Sequence, residues 1–421
     1  MGMTLVEKIL ANKSGQLVVR PDEIVEVSVD LAMTHDALGA HTAAKFNELG
    51  VAKVWDPQKI VVIPDHYVPN KDIDTARKCL NLKKFVREQG IENYYEVGKG
   101  GICHQVLVEK GHVLPGTVVV GTDSHTTTSG VVGAFATGIG IDEMAVVFKT
   151  GRLWERVPAT IKINVEGKLE SPLFAKDLML FILSRLGVSG ALFKSLQFTG
   201  STVSEMSIDG RMVLTNMAIE AGATNGIIEP DDKLVDYIRS RTDAPFEVVK
   251  GDPDAEYAET IEFRTDDIKE PIVAVPPKPT NGVGVTEVEG TKIDQAFIGS
   301  CTNGRLEDLR VAAKILKGRK VDRYTKVIVI PASQEVYKGA LDEGLITIFV
   351  EAGAMVGPPT CGPCMEAHMG ILGPEEVSIS STNRNFEGRS GDVSSKIYLA
   401  SPATVAASAL TGKITDPRQF L

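Results

Sequence analysis

The sequence predicts an α/β fold in which helices cover largely parallel β-sheets. The first observation is an alternation of short, apolar, strand-like runs with helical patterns along the whole 421-residue chain. The second is the length, which is sufficient for several domains with substantial cores. The third is an apolar content of 43% with a mean hydropathy near zero, which is typical of a globular protein in water.

The elements of the first half of the chain alternate as strands and helices. Runs rich in Val and Ile predict the strands, and amphipathic spacing predicts the helices. Helix 171–187 has Ser171 as its expected N-cap and Pro172 in its first turn. In chain order we expect strand 23–32, helix 41–50, strand 59–65, helix 72–90, a strand and polar loop at 117–125, strand 159–167 and helix 171–187.

A proline-rich segment without apolar periodicity interrupts this alternation after residue 275. Its composition is typical of a linker, so residues 276–285 are expected to join two domains. The alternation then restarts and continues to the last residues of the sequence. In chain order we expect strand 294–300, helix 305–318, strand 326–333, helix 334–344, strand 375–381 and helix 401–412.

Charge and hydropathy argue against two classes of partner. The formal net charge is −10, the isoelectric point is about 5.4, and no basic tract stands out, so neither a nucleic acid nor an anionic membrane surface is expected to bind. The apolar runs are too short to span a bilayer. The N-terminal segment lacks the long apolar core of a secretory signal, and the expected location is therefore the cytoplasm.

Polar segments of unusual composition follow four of the predicted strands. In open α/β sheets, ligands bind just beyond the carboxyl ends of the strands. Because four such segments are rich in His, Asp and Cys, we expect them to converge on one shared cleft. The segments are MTHD (33–36), PDH (64–66), GTDSH (121–125) and GSCTNGR (299–305).

The five cysteines form an odd and sparse set, which disfavours a fold stapled by disulfides. Cys361 and Cys364 form a Cys-x-x-Cys pair, and Cys301 lies far upstream after a predicted strand. Their spacing leaves three alternatives open: a redox-active dithiol, a zinc site with His368 as a further ligand, or an iron–sulfur cluster held by three thiolates. The two remaining cysteines, Cys79 and Cys103, are expected to be packing residues.

Six motifs resemble those of the aconitase family in kind, in order and roughly in spacing, along nearly the entire chain. The resemblance implies a [4Fe-4S] cluster held by Cys301, Cys361 and Cys364, with one iron free of protein ligands. It also implies a hydro-lyase, an enzyme that removes water from a hydroxy acid and adds it back on the neighbouring carbon. The motifs are PDH (64–66), GICHQ (101–105), GTDSHT (121–126), GSCTNGR (299–305), CGPC (361–364) and TNRNFEGR (382–389).

The same resemblance implies an aconitase-like fold of three α/β/α subdomains around a central cleft that holds the cluster. Two subdomains are expected within residues 1–275, where they carry most of the polar site loops. Residues 276–285 are expected to be the linker. The third subdomain is expected at residues 286–421, and it carries the three cluster cysteines.

The resemblance further implies roles for individual residues. His66 would protonate the departing hydroxyl, with Asp65 orienting and charging its imidazole. Arg305 is expected to shape the loop that carries Cys301. Further catalytic residues are implied at His104, Asp123, His125 and Glu220. Substrate-binding residues are implied at Ser124, Arg384 and Arg389. Asn216, Asn303 and Asn383 are implied to lie near the cluster.

One residue departs from the aconitase pattern. Where that pattern has a glutamine before Asp-Ala, this chain has His35. In having a histidine at this place, the chain resembles the two-subunit branch of the family, whose large subunits act on isopropylmalate or homocitrate. His35 is expected to bind substrate, although loop packing is an open alternative.

This branch implies a partner and a small-molecule substrate. Single-chain members carry a further C-terminal domain that closes over the cluster and supplies a serine base and additional arginines. The chain is not expected to hold such a domain after residue 412, so a small subunit is expected to supply the lid and the base for a hydroxy di- or tricarboxylate. The competing hypotheses are an iron-sensing, RNA-binding relative and a dithiol oxidoreductase.

Overall fold

The computed structural model describes residues 2–365 and 367–421. Its first part contains a five-stranded parallel sheet in the order β4-β3-β2-β5-β6 and an antiparallel ribbon of β1 and β7. The strands are β1 (Ile24–Ser28), β2 (Leu31–His35), β3 (Ile60–Ile63), β4 (Asn93–Tyr94), β5 (Val118–Gly121), β6 (Phe135–Gly138) and β7 (Arg152–Arg156). The helices are α1 (Leu5–Ser14), α2 (Asp36–Glu48), α3 (Ile73–Gln89), α4 (Cys103–Glu109) and α5 (Ile141–Thr150).

The first sheet is buried on both faces, which explains the unbroken apolar runs of its strands. Alternate residues of a strand point to opposite faces. In β3, Ile60 and Val62 therefore join one core with Phe46, Phe85 and Phe148 of the helices. Val61 and Ile63 join a second core on the opposite face.

The second part is a four-stranded parallel sheet in the order β10-β9-β8-β11. Its strands are β8 (Thr160–Glu166), β9 (Ser195–Thr199), β10 (Asn225–Ile228) and β11 (Glu259–Arg264). Its helices are α6 (Ala175–Leu186), α7 (Ser201–Glu205), α8 (Ile208–Met217) and α9 (Asp232–Arg239). A short 3₁₀ helix, Ala218–Ala221, continues from α8.

The third part is a seven-stranded sheet in the order β13-β12-β18-β17-β14-β15-β16, parallel except at β12 and β13. Its strands are β12 (Ile272–Ala274), β13 (Gly282–Gly284), β14 (Gln295–Ile298), β15 (Lys326–Val329), β16 (Met355–Val356), β17 (Val377–Ser380) and β18 (Lys396–Leu399). Its helices are α10 (Val285–Val288), α11 (Leu306–Leu316), α12 (Gln334–Asp342), α13 (Leu345–Ala352) and α14 (Pro402–Thr411).

The predicted α/β class with largely parallel sheets is confirmed. The domain boundaries stay a prediction, and the segment expected as a linker, residues 276–285, includes strand β13 at the edge of the third sheet. Among the described residues, no helix combines the length and the apolar character that crossing a membrane requires.

Three predicted element boundaries were wrong. Strand 23–32 is two strands, because the chain leaves the ribbon at residues 29–30 and enters the first sheet. Helix 41–50 starts earlier, at Asp36, because the His35 side chain accepts a hydrogen bond from the N–H of Ala37 and caps it. Helix 171–187 starts later, at Ala175, because the Asp177 carboxylate accepts the N–H of Phe174 and so fixes the helix start there.

Candidate active site

Loops from the first and third sheets converge on one cavity of about 290 Å³. The loops follow the carboxyl ends of β2, β3, β5, β14 and β17, as expected for ligand sites in α/β sheets. The predicted shared cleft is therefore present in the structure. Its predicted site residues are His35, His66, His104, Asp123, Ser124, His125, Cys301, Cys361, Cys364, Asn383, Arg384 and Arg389, and further lining residues include Ala37, Leu38, Tyr67, Thr122 and Met365.

Asp65 and His66 form a buried ion pair directly after β3. The Nδ1 atom of His66 lies 2.6 Å from Oδ1 of Asp65, and the other oxygen of Asp65 accepts the N–H of Cys103 at 2.8 Å. Burial alone would lower the pKa of His66, but the carboxylates of Asp65 and Asp123 raise it well above its usual value. His66 is thus a protonated imidazolium at neutral pH, as a proton donor must be.

Asp123 gathers three histidines around one carboxylate. Its Oδ1 lies 2.9 Å from Nε2 of His104 and accepts the N–H of His125 at 2.7 Å. Its Oδ2 lies 3.4 Å from Nε2 of His66. Burial would raise the pKa of Asp123, but the interactions with these histidines hold it well below its usual value. Asp123 is therefore an anion that binds the His104 ring and the backbone N–H of His125 and lies close to the rings of His66 and His125.

A second carboxylate, Glu220, connects His125 to an arginine. Nε2 of His125 lies 2.8 Å from Oε1 of Glu220. Nε of Arg384 donates to both oxygens of Glu220, at 2.9 and 3.1 Å. Glu220 itself is not among the residues lining the cavity. It fixes the orientation of two residues that do line the cavity.

The three predicted cluster cysteines lie buried at one side of the cavity. Nδ2 of Asn216 and Nδ2 of Asn383 donate to Sγ of Cys301, at 3.2 and 3.3 Å. Burial raises the pKa of the Cys301 thiol to about 12. Such a thiol becomes a thiolate only beside a strong positive partner, so the sulfur and its two amide donors fit a metal group.

The alternatives left open by the cysteine spacing are less well supported by this geometry. His368 is not among the residues lining the cavity, and its Nε2 lies 3.0 Å from Oγ1 of Thr360. A dithiol pair alone has no use for a third sulfur held by two asparagines. The donor set therefore favours an iron–sulfur cluster over a four-ligand zinc site or a redox switch.

His35 lies on top of His66 in the cavity. The two rings are stacked, with centroids 3.9 Å apart and an interplanar angle of 16°. Burial and the neighbouring His66 lower the pKa of His35 to about 4, so its imidazole is neutral. Because its Nδ1 accepts the N–H of Ala37, its proton is on Nε2. That nitrogen has no hydrogen-bond partner among the described residues and lies 3.9 Å from Asp123.

Two predicted residues near the cluster loop lie behind the cavity. Asn303 donates to Oδ1 of Asp308 at 2.9 Å and is not among the lining residues. Its place in the surroundings of the cluster stays a prediction. Arg305 is buried, and its guanidinium donates to the carbonyl oxygens of Cys301 and Thr302, both at 2.6 Å. This contact agrees with the expectation that Arg305 shapes the loop.

Sequence reasoning missed Asp36, which holds the loop that carries His66. Its carboxylate accepts the backbone N–H groups of Asp65, His66 and Tyr67, at 2.9, 2.8 and 2.6 Å. The available signal was its place in the MTHD segment, beside His35. The histidine of this segment is the residue that suggests a site. Nothing in the sequence indicates that the neighbouring carboxylate accepts backbone N–H groups about thirty residues away.

Comparisons with known proteins show which family this chain is similar to. A model of the "Aconitase family (aconitate hydratase)" matches residues 7–291 and 284–412. A "Probable 3-isopropylmalate dehydratase large subunit" of Methanothermobacter thermautotrophicus is 55% identical over 99% of each chain. The "3-isopropylmalate dehydratase large subunit 1" of Methanopyrus kandleri is 50% identical over 100% of each chain. A "Probable methanogen homoaconitase large subunit", also of M. thermautotrophicus, is 50% identical over 99% of this chain and 98% of its own.

The three hydrogen bonds to Asp36 predict the effect of removing its carboxylate. In Asp36→Ala, the amides of residues 65–67 should exchange with solvent deuterium at least about tenfold faster, because hydrogen bonds to charged groups are worth about 1.5–3 kcal/mol each. Mass spectrometry of the peptide covering these residues measures the rates. Asp72→Ala, which removes the N-cap of α3, is the control and should leave them unchanged. Unaltered exchange in Asp36→Ala would contradict the scaffolding role.

Proposed function

The chain belongs to the aconitase family, and from that membership we propose that it is the large subunit of a hydro-lyase that interconverts 2-isopropylmalate and 3-isopropylmalate. The reaction removes water and adds it back on the neighbouring carbon, and it serves leucine biosynthesis. The observation that carries the proposal is a single cavity. His66, two arginines and three buried cysteines line this space, whose volume suits a small carboxylic acid.

Membership in the aconitase family implies an iron–sulfur cluster. We assign Cys301, Cys361 and Cys364 as the ligands of a [4Fe-4S] cluster that keeps one iron free of protein ligands. When bound, this iron would supply a Lewis acid for the hydroxyl that leaves. Asn216 and Asn383 donate to Cys301 and so would stabilise the thiolate charge.

His66 supplies the proton that the leaving hydroxyl needs. Hydroxide is a poor leaving group, so protonation must accompany the breaking of its bond to carbon. Asp65 holds the imidazole through Nδ1, which leaves the opposite nitrogen, Nε2, beside Asp123 in the cavity. A positioned acid of this kind contributes about 10²–10⁴-fold to a rate.

The cavity also carries the positive charge that a multiply charged anion requires. The chain as a whole has a net charge of −10, so binding depends on local cations. Arg384 and Arg389 line the cavity, and a guanidinium grips a carboxylate with two parallel hydrogen bonds. Glu220 orients Arg384 before substrate arrives. Each charge-assisted contact contributes about 1.5–3 kcal/mol. Ser124 and the Nε2 proton of His35 add neutral donors for the remaining oxygens.

A homocitrate-type substrate is the second candidate. A relative with 50% identity over nearly the full length is named a homoaconitase large subunit. The two substrate classes differ in the side group beyond the reacting carbons. Some of the residues that contact this group are expected to come from the small subunit. Assays with both substrates, using the same assembled enzyme, decide between them.

The partner we propose is a small subunit. The relatives are named as large subunits, and this chain covers 98–100% of their length. Among the described residues that line the cavity, the one serine is Ser124, which is assigned above to substrate binding. The resemblance to single-chain members of the family, whose further domain supplies a serine base, assigns the base to a serine of the small subunit, which also covers the open side of the cavity. We place the assembly in the cytoplasm.

The cluster assignment predicts the effect of replacing each cysteine. Anaerobic reconstitution should give about four irons per chain, as a four-iron cluster requires. Replacing Cys301, Cys361 or Cys364 by Ser should abolish turnover, because each removes one of three ligands. Cys79→Ser is the control, since Cys79 lies in α3, outside the residues lining the cavity, and should keep nearly full turnover. Full activity in Cys364→Ser would sink the assignment.

The proton-donor role predicts a loss in kcat rather than in binding. His66→Ala should lower kcat at least about a hundredfold, while the visible absorption of the reconstituted cluster stays unchanged. Asp65→Asn should cause a smaller loss, because the imidazole remains but loses the carboxylate that charges it. Steady-state kinetics of the assembled enzyme provide the measurement. If both variants altered only KM, the pair would bind substrate and another group would donate the proton.

The split site predicts that activity needs two chains. The purified large chain, reconstituted with iron and sulfide, should show little turnover of 3-isopropylmalate alone, because its cavity lacks a lid and the serine base. Adding the small subunit should restore turnover in proportion to complex formed. Hydratase assays with and without the partner measure this difference. Comparable turnover in both samples would refute the split site and require a base within this chain.

A further inference from the structure

Lys176 is a fully buried cation that the mechanism above does not use. It lies in the first turn of α6, and none of its surface is accessible to solvent. Its Nζ donates to the carbonyl oxygen of Ser381 at 2.9 Å and to that of Thr382. Among the described residues, no carboxylate lies within ion-pair distance of this ammonium group. Its binding partners are backbone carbonyls alone.

This arrangement costs stability. Burial lowers the pKa of Lys176 to about 7, and the nearest acidic groups, Asp308 and the cysteines, offset it only in part. Replacing buried charged groups by apolar side chains of similar volume is often neutral or stabilising. A methionine would fill the same space without the desolvation cost. Packing alone therefore does not account for a lysine at this position.

The two carbonyl groups that Lys176 binds belong to the loop that enters the cavity. This loop follows β17, and its next residues, Asn383 and Arg384, line the cavity. Asn383 donates to Sγ of Cys301, and Arg384 is oriented by Glu220. Lys176 thus fixes the backbone directly before two side chains that face substrate and sulfur.

The fixing contact comes from a different sheet layer. Lys176 belongs to α6, which packs beside the second sheet, whereas Ser381 and Thr382 follow a strand of the third. The neighbouring Asp177 is also fully buried and accepts the N–H groups of Phe174 and Ile272, both at 2.9 Å. Asp177 thus holds the start of α6 and strand β12. Of these two neighbouring residues, Lys176 is the one that contacts the cavity loop.

We propose that Lys176 is a positioning residue for the reaction proposed above, holding the loop at residues 381–384 so that Asn383 and Arg384 face the cavity. This inference rests on the proposed function and adds to it a residue that touches neither substrate nor sulfur. Lys176 acts through the loop and is not a catalytic residue.

The test compares Lys176→Met with a matched control, Lys233→Met. Lys233 also donates to backbone carbonyls, those of Ser204, Glu205 and Met206, but it lies exposed on α9. In the cluster-free chain, the amides of residues 382–389 should exchange at least about tenfold faster in Lys176→Met than in wild type. Lys233→Met should leave them unchanged.

Kinetics of the assembled enzyme complete the test. Lys176→Met should lower kcat/KM by about 10- to 100-fold, because small misplacements of binding groups cost this much. Arg384→Ala should lower kcat/KM far less in the Lys176→Met variant than in wild type, because Lys176→Met has already misplaced Arg384. Additive losses would overturn the proposal and leave Lys176 with a general structural role. So would a Lys176→Met chain that fails to fold.

The two parts of the experiment separate this inference from the proposed function. If wild-type enzyme does not act on isopropylmalate, the proposed function fails, while the exchange measurement on the cluster-free chain still decides whether Lys176 holds the loop. If wild-type enzyme is active but loop exchange is unchanged in Lys176→Met, the function stands and the role of Lys176 is rejected.

Discussion

Asp65 makes the contacts on which the rest of the site depends. One carboxylate oxygen binds His66 and the other accepts the N–H of Cys103 at the start of α4. Its backbone carbonyl accepts the N–H of Cys361 and the hydroxyl of Thr360, both at 2.7 Å. A single buried residue therefore joins His66, which follows a strand of the first sheet, to the cysteine loop of the third.

The buried carboxylates around the cavity are tolerable because each one has a histidine or arginine partner. Asp123 lies among histidines, Glu220 lies between His125 and Arg384, and Asp65 holds His66. An isolated buried charge would cost several kcal/mol, and the pairing offsets most of this cost. The same pairing sets protonation states without a bound substrate: an anionic Asp123, a cationic His66 and, stacked on it, a neutral His35. Orientation and charge are therefore established before the reaction begins.

The sequence predicts the fold class and most of the site, because apolar strands followed by polar segments are local patterns. The sheet of β2, β3 and β5 needs only such patterns, and its loops bring His35, His66 and Asp123 together. The features that were missed depend on particular side-chain contacts. The start of α6 depends on a local cap by the Asp177 carboxylate, and the loop after β3 depends on Asp36, which is distant in sequence. Helical patterns treat Lys176 and Asp177 as surface residues, and only the third sheet buries them.

Two buried basic side chains have the same physical effect on two of the site loops of the third sheet. Arg305 binds the carbonyls of Cys301 and Thr302, and Lys176 binds those of Ser381 and Thr382. Neither cation is among the residues lining the cavity. Carbonyl oxygens carry partial negative charge and would repel thiolates and a carboxylate substrate at close range. Because cations outside the cavity engage these carbonyls, the groups that remain to face the sulfurs are donors, such as the amide of Asn383. The acidic chain thereby forms a cavity suited to anions.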